Sequence, residues 1–149
     1  MNFPRLAAAA LAAWVAFLGI GYVVHGVLLT GLYERAASGL RPADDRHPAI
    51  GFGLALIGFF AFAYTYAKGY EGGRGTQEGM RFGVLVALML ISFAAVWAYV
   101  TFPISWRLAA TLAIDYVVEF AIYGMIVGAI YRPVAAAPRS GSLGARLDR

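Results

Sequence analysis

The sequence contains no cysteine, and only 13% of its 149 residues are charged. The absence of cysteine excludes a disulfide, a thiolate metal site and a thiol nucleophile. The scarcity of charge argues against a soluble domain, since such domains carry about 25% charged residues on average, whereas this chain is 61% hydrophobic. A bilayer is the solvent that accepts such a composition, so we expect an integral membrane protein whose main partner is lipid.

Four apolar runs are each long enough to cross a bilayer, which takes about 20 residues of helix. We therefore predict an all-α fold, a four-transmembrane-helix bundle that forms one domain over residues 1–133. The helices are expected at about 6–32, 49–67, 79–102 and 108–131. The small, arginine-bearing segment 134–149 is predicted to be a disordered cytoplasmic tail.

Basic residues lie mostly in segments that would share one side of such a bundle. Eight are on that side, namely Arg5, Lys68, Arg74, Arg81, Arg132, Arg139, Arg146 and Arg149, and four are on the other, namely Arg35, Arg41, Arg46 and Arg107. The positive-inside rule then predicts that both termini are cytoplasmic. Because topology explains these charges, the net charge of +4 does not indicate a nucleic-acid partner, and we expect none.

Glycines occur at a spacing of four in two of the predicted helices. Gly79 and Gly83 open the third helix, and Gly124 and Gly128 lie near the end of the fourth. Pairs at this spacing let two helix backbones approach closely, so these four glycines are predicted helix-packing positions. The sequence leaves open whether the crossing lies within one chain or between subunits.

Polar residues recur every four positions along the fourth helix, at Arg107, Thr111, Asp115, Glu119 and Tyr123. A step of four drifts only about 40° around a helix, so these side chains form one slanted stripe. A carboxylate near the centre of a span costs about 2.5–3.5 kcal/mol on the insertion scale. The side of the helix that carries Asp115 and Glu119 is therefore expected to face protein or water instead of lipid.

Depth along the helices suggests partners for these carboxylates. His25 and Asp115 are both about 9–12 Å from the same face of the membrane, at 1.5 Å per residue. The predicted intramembrane polar cluster comprises His25, Asp115, Glu119, Tyr22, Ser92, Thr111 and Tyr123. Two interpretations remain open: the cluster carries protons or binds a cation or polar ligand, or it is a hydrogen-bonded latch that fixes helix register or contacts a partner subunit.

Short glycine-containing motifs give a family resemblance. They are Lys68-Gly69, Gly72-Gly73, Glu78-Gly79 and Arg81-Phe82-Gly83 ahead of a long apolar helix, with Gly124, Gly128 and Tyr131 at the end of the last one. This pattern covers most of residues 20–133 and resembles a group of small, uncharacterised four-helix bacterial integral membrane proteins. The resemblance implies a bacterial inner membrane and no particular activity. Small multidrug transporters are similar in length, but they carry their essential carboxylate in the first helix, where this sequence has only His25.

Three classes of function are compatible with these features. The leading prediction is an accessory or scaffold subunit that packs within the bilayer, as a homo-oligomer or in a larger membrane complex. The alternative is a proton- or cation-coupled transporter or channel that uses Asp115 and Glu119. An enzyme is not expected, because the sequence shows no nucleophile paired with a base, no metal-ligand cluster and no cofactor motif. No catalytic residue, metal or cofactor is therefore predicted.

Overall fold

A computed structural model describes residues 1–36, 41, 45 and 47–131, and these residues form helices and turns with no strand among them. The helices are α1 (Phe3–Leu28), α2 (Thr30–Arg35), α3 (Pro48–Gly69), α4 (Gly75–Thr101) and α5 (Trp106–Ile130). All except α2 are long and apolar enough to cross a membrane. The predicted all-α, four-transmembrane-helix architecture is thus confirmed.

Three of the spans begin a few residues earlier than hydropathy alone suggests, because polar residues cap or continue them. Asn2 accepts a hydrogen bond from the Arg5 backbone amide at the start of α1, and Ser105 accepts one from the Leu108 amide at the start of α5. Helix α4 begins at Gly75, inside the stretch whose composition resembles a loop. The predicted tail at 134–149 lies outside the described residues.

Two of the spans contain a wide π-helical turn. In α1 the α-helix Phe3–Val23 continues as the π-turn Val24–Leu28, and in α4 the π-turn Ile91–Ala95 separates Gly75–Leu90 from Val96–Thr101. Such a turn inserts one extra residue, so the side chains beyond it leave the α-helical register. The turn in α1 includes His25.

Helices α4 and α5 are antiparallel and touch through their backbones. The contact is made of glycines, namely Gly75, Gly79 and Gly83 on α4 and Gly124 and Gly128 on α5. A Cβ atom at Gly79 would overlap the carbonyl oxygen of Gly124, and one at Gly124 would overlap that of Gly79. The crossing lies within one chain, and Gly75, which packs against Gly128, extends it by one turn beyond the predicted pairs.

Aromatic rings fill the space between α1, α3 and α5. Tyr123 is fully buried, and its ring lies 5.2 Å from Phe59 of α3 and 6.3 Å from Phe17 of α1, measured between centroids. Trp14 of α1 also donates a hydrogen bond to the Phe52 carbonyl oxygen of α3, at 3.0 Å. These contacts fix α1 against α5 and bring the end of α1 beside the middle of α5.

Candidate functional site

Three metal-ligand-type side chains meet where α1 approaches α5. One atom from each of His25, Asp115 and Glu119 can be chosen such that all three lie within 4.8 Å of one another. His25 Nε2 lies 3.4 Å from Asp115 Oδ2. Asp115 and Glu119 are one helical turn apart on α5, so both carboxylates face the same way, as the stripe predicts.

The two carboxylates of this cluster are largely removed from the surface. Glu119 is 4% exposed, and the Asp115 side chain is 9% exposed, whereas that of His25 is 35% exposed. Asp115 also lies about 13 Å from the start of α5 at 1.5 Å per residue, well inside the span. The cluster therefore lies deep in the bundle, and the imidazole is its most exposed member.

Hydrogen bonds within the described residues satisfy only part of the cluster. The Tyr123 hydroxyl donates to Glu119 Oε2 at 2.8 Å, and both groups are buried. Glu119 Oε1 and Asp115 Oδ2 are buried as well, but neither has a hydrogen-bond partner in the described part of the chain. His25 is close enough to Asp115 for an ion pair, although the contact is not a hydrogen bond. A buried polar atom left in this way costs about 1–3 kcal/mol.

Tyr33 belongs to the site, although it lies just beyond the predicted first helix, which ends at about residue 32. Its hydroxyl lies 2.8 Å from His25 Nδ1, the ring nitrogen that points away from Asp115. Burial raises the pKa of Tyr33 to about 12, and the nearby Asp115 carboxylate adds to that rise, so the hydroxyl stays protonated at physiological pH. In the sequence, Tyr33 is marked as a neighbour of His25 only by its position eight residues later. Eight residues make two helical turns when one α-turn is combined with one wider π-turn.

Other predicted members of the cluster lie at different places. Tyr22 is 72% exposed, and the π-turn Val24–Leu28 that follows it changes the register between Tyr22 and the side chains beyond. Ser92 is exposed, and its hydroxyl donates to the Leu88 carbonyl oxygen of its own helix at 2.8 Å. Thr111 is half-buried one turn before Asp115. The structure thus brings His25, Asp115, Glu119 and Tyr123 together and leaves Tyr22 and Ser92 outside.

A cavity of about 610 Å³ leads to the cluster from the side of the bundle. Its polar lining includes His25, Tyr116 and Glu119, and its apolar lining is rich in aromatic rings, namely Phe17, Phe59, Phe62, Phe82 and Phe120. Gly58 of α3 and Met89 of α4 line it too and are exposed, so the cavity opens between these two helices. A small ion or molecule in the cavity can therefore reach Glu119.

A scan against protein-family models and searches of curated proteins and of solved structures find no match to this chain. The chemistry of the site is therefore inferred from its own residues. An imidazole, two carboxylates and two phenol hydroxyls can bind a proton or a metal cation and can stabilise its charge.

Proposed function

We propose that this small membrane protein binds a cation within the bilayer, at His25, Asp115 and Glu119, and acts as a proton- or cation-coupled transporter or channel. The observation that carries the proposal is the pair of buried carboxylate oxygens, Asp115 Oδ2 and Glu119 Oε1, which have no hydrogen-bond partner among the described residues. Ionisable groups inside a span are expensive, and their usual roles are in ion and proton pathways.

The unpaired oxygens argue against the latch interpretation. A polar network that only fixes helix register stabilises the bundle when all of its members are hydrogen-bonded, and it destabilises the bundle when some are not. Here one oxygen of each carboxylate accepts no hydrogen bond from the described residues, since Tyr123 donates only to Glu119 Oε2. A bound cation would use the oxygens that the described part of the chain leaves unpaired.

An oligomer is part of the proposal, because four helices enclose little space for a continuous pathway. The outward side of α3 carries Ile50, Leu54 and Ile57, each more than 60% exposed, and a second copy or a larger membrane complex could cover it. An accessory or scaffold role stays a prediction alongside transport. The two differ in what Glu119 does, since a scaffold uses it for assembly and a transporter uses it for ion movement.

We further propose a bacterial inner membrane with both termini in the cytoplasm. Support comes from Arg5, Lys68, Arg74 and Arg81, which lie at the beginning of α1, at the end of α3 and around the beginning of α4. Because the chain has no cysteine, a Glu71→Cys variant would carry a single thiol between α3 and α4. A membrane-impermeant thiol reagent should label this cysteine in inverted vesicles and not in intact cells. Labelling in intact cells would show that the loop and both termini lie on the opposite side of the membrane.

The direct test of transport is flux in liposomes. The purified protein is reconstituted, a pH or metal gradient is imposed, and an internal pH-sensitive or metal-sensitive dye reports ion movement. Glu119→Gln is the key variant, because the amide keeps an oxygen that can accept from Tyr123 but cannot hold a proton or a charge. Glu71→Gln is the matched control, because it makes the same chemical change at an exposed position between α3 and α4.

We expect flux from the natural protein and from Glu71→Gln, and at least a tenfold loss of flux from Glu119→Gln with unchanged size and helicity. Equal flux from all three proteins would contradict the proposed role of Glu119. If Glu119→Gln instead lowered the amount of assembled protein in the membrane, the accessory role would be supported. Gentle extraction followed by a mass measurement of the particle separates a homo-oligomer from a larger complex.

A further inference from the structure

We infer that the cation bound by His25, Asp115 and Glu119 is a divalent transition-metal ion of the Zn²⁺ class. This inference rests on the proposed function, in that it names the cation of the same site. Three side chains supply an imidazole nitrogen and two carboxylate oxygens, from two helices that are far apart in sequence. Among the described residues, Asp115 Oδ2 and Glu119 Oε1 are buried and accept no hydrogen bond, and Asp115 Oδ2 contacts only the His25 ring nitrogen as an ion pair.

The chemistry of the donors selects this class of ion. Imidazole binds Zn²⁺ and neighbouring transition metals, whereas Ca²⁺ and Mg²⁺ prefer six or more oxygen ligands. Three protein ligands also match in number the zinc sites that keep a fourth position open for water or an incoming ligand. A soft ion such as Cu(I) prefers sulfur, and the cysteine thiolates that it binds do not occur in this chain.

The distances fit a tetrahedral ion after a small adjustment. Ligands bonded at 2.0–2.1 Å to such an ion are about 3.3 Å apart, and His25 Nε2 lies 3.4 Å from Asp115 Oδ2. The widest separation in the group is at most 4.8 Å. Rotation of the Glu119 carboxylate about its broad terminal torsion can close most of the remaining distance.

Outer hydrogen bonds hold two of the three ligands in position. Tyr33 contacts His25 Nδ1 at 2.8 Å, which leaves Nε2 directed at Asp115, and Tyr123 donates to Glu119 Oε2 at 2.8 Å, which leaves Oε1 free. Histidine ligands of metals almost always use their other ring nitrogen for a hydrogen bond of this kind, which fixes the tautomer and the ring orientation.

Charge gives a further reason for a dication. Two largely buried carboxylates one turn apart repel each other and lose hydration, and a single positive charge neutralises only one of them. A divalent ion balances both, with His25 neutral as metal ligation requires. A cavity of about 610 Å³ reaches both His25 and Glu119 and leaves space for an ion beside them.

Metal binding is measured on the full chain in detergent, purified with a tag that contains no histidine and stripped with a chelator. Zn²⁺ alone is titrated by calorimetry, and Co²⁺ serves as a spectroscopic probe whose visible bands report four-coordinate nitrogen and oxygen ligation. His25→Ala removes one ligand, and Glu119→Gln replaces a charged carboxylate ligand by a neutral amide oxygen, which binds Zn²⁺ much more weakly. His47→Ala is the matched control, because the chain has two histidines and the side chain of His47 is 64% exposed outside the spans.

We expect one Zn²⁺ per chain, at least a 100-fold loss of affinity in His25→Ala, and unchanged binding in His47→Ala. No binding to the natural protein, or equal binding in both histidine variants, would overturn the metal assignment. If His25→Ala does not fold, Glu119→Gln carries the same expectation, with helicity and elution volume as the check on folding. Glu119-dependent proton flux without Zn²⁺ binding would overturn this inference alone, whereas Zn²⁺ binding without any flux would overturn transport alone.

Discussion

Gly79 of α4 and Gly124 of α5 touch backbone to backbone, so closely that a Cβ atom on either one would overlap the carbonyl oxygen of the other. Within a bilayer there is little hydrophobic drive between helices, and close packing of this kind supplies the attraction. The contact also determines where Asp115 and Glu119 lie, since both are on α5, between its N-terminal end and the glycine crossing.

A methyl group at this crossing should destabilise the bundle. We expect Gly124→Ala to lower the free energy of unfolding by about 1–3 kcal/mol or more, because the helices must separate to admit the methyl. Gly58→Ala is the control, since a Cβ atom at Gly58 of α3 would meet nothing within 4 Å. Thermal unfolding followed by circular dichroism in detergent measures the difference, and equal midpoints for the two variants would contradict the close contact.

The buried hydroxyl of Tyr123 should contribute to stability through Glu119. Tyr123→Phe keeps the ring among its aromatic neighbours and removes the donor that lies 2.8 Å from Glu119 Oε2. We expect unfolding to become easier by about 1.5–3 kcal/mol, the usual value of a hydrogen bond to a charged group. Tyr64→Phe removes an exposed hydroxyl from α3 and should leave the midpoint unchanged. If both substitutions had the same small effect, the carboxylate would not depend on this bond.

The fold and the site differ in how far the sequence determines them. The length and hydropathy of the apolar runs are sufficient to predict the four spans. The spacing of four residues is sufficient to predict that Asp115 and Glu119 lie on one side of α5. Tyr33 and Gly75 are missed, because each lies among polar residues and its role depends on a neighbour from a distant part of the chain. Hydrophobic periodicity also does not predict the π-turn Val24–Leu28, which includes His25 and begins two residues after Tyr22.

Removal of the charge at Glu119 should stabilise the protein while it abolishes function. In Glu119→Gln the amide oxygen can still accept from Tyr123, so a desolvated carboxylate is replaced by a neutral group that keeps this hydrogen bond. We expect the metal-free variant to unfold at a temperature about 2–4 °C higher, corresponding to about 1 kcal/mol for a chain of this size.

This result would distinguish a binding site from a structural latch. Functional sites commonly retain groups that reduce stability, and their removal often gives a more stable, inactive protein. If Glu119 were part of a latch, Glu119→Gln would instead lower the unfolding midpoint, as loss of a structural ion pair does. Glu71→Gln, at an exposed position, provides the baseline for the substitution itself and should leave the midpoint unchanged.

Tyr33 should act on metal affinity without touching the metal. Tyr33→Phe removes the hydroxyl at 2.8 Å from His25 Nδ1 and leaves all three ligands in place. Loss of a hydrogen bond to a metal-binding histidine lowers metal affinity by about 10–100-fold, because the imidazole loses its fixed orientation. We therefore expect weaker Zn²⁺ binding by that factor, together with a shifted Co²⁺ spectrum, since the remaining imidazole coordinates at a less favourable angle. Tyr22→Phe is the matched control, because Tyr22 is 72% exposed and lies outside the cluster. Unchanged affinity and spectrum in Tyr33→Phe would mean that the tyrosine packs against His25 without positioning it.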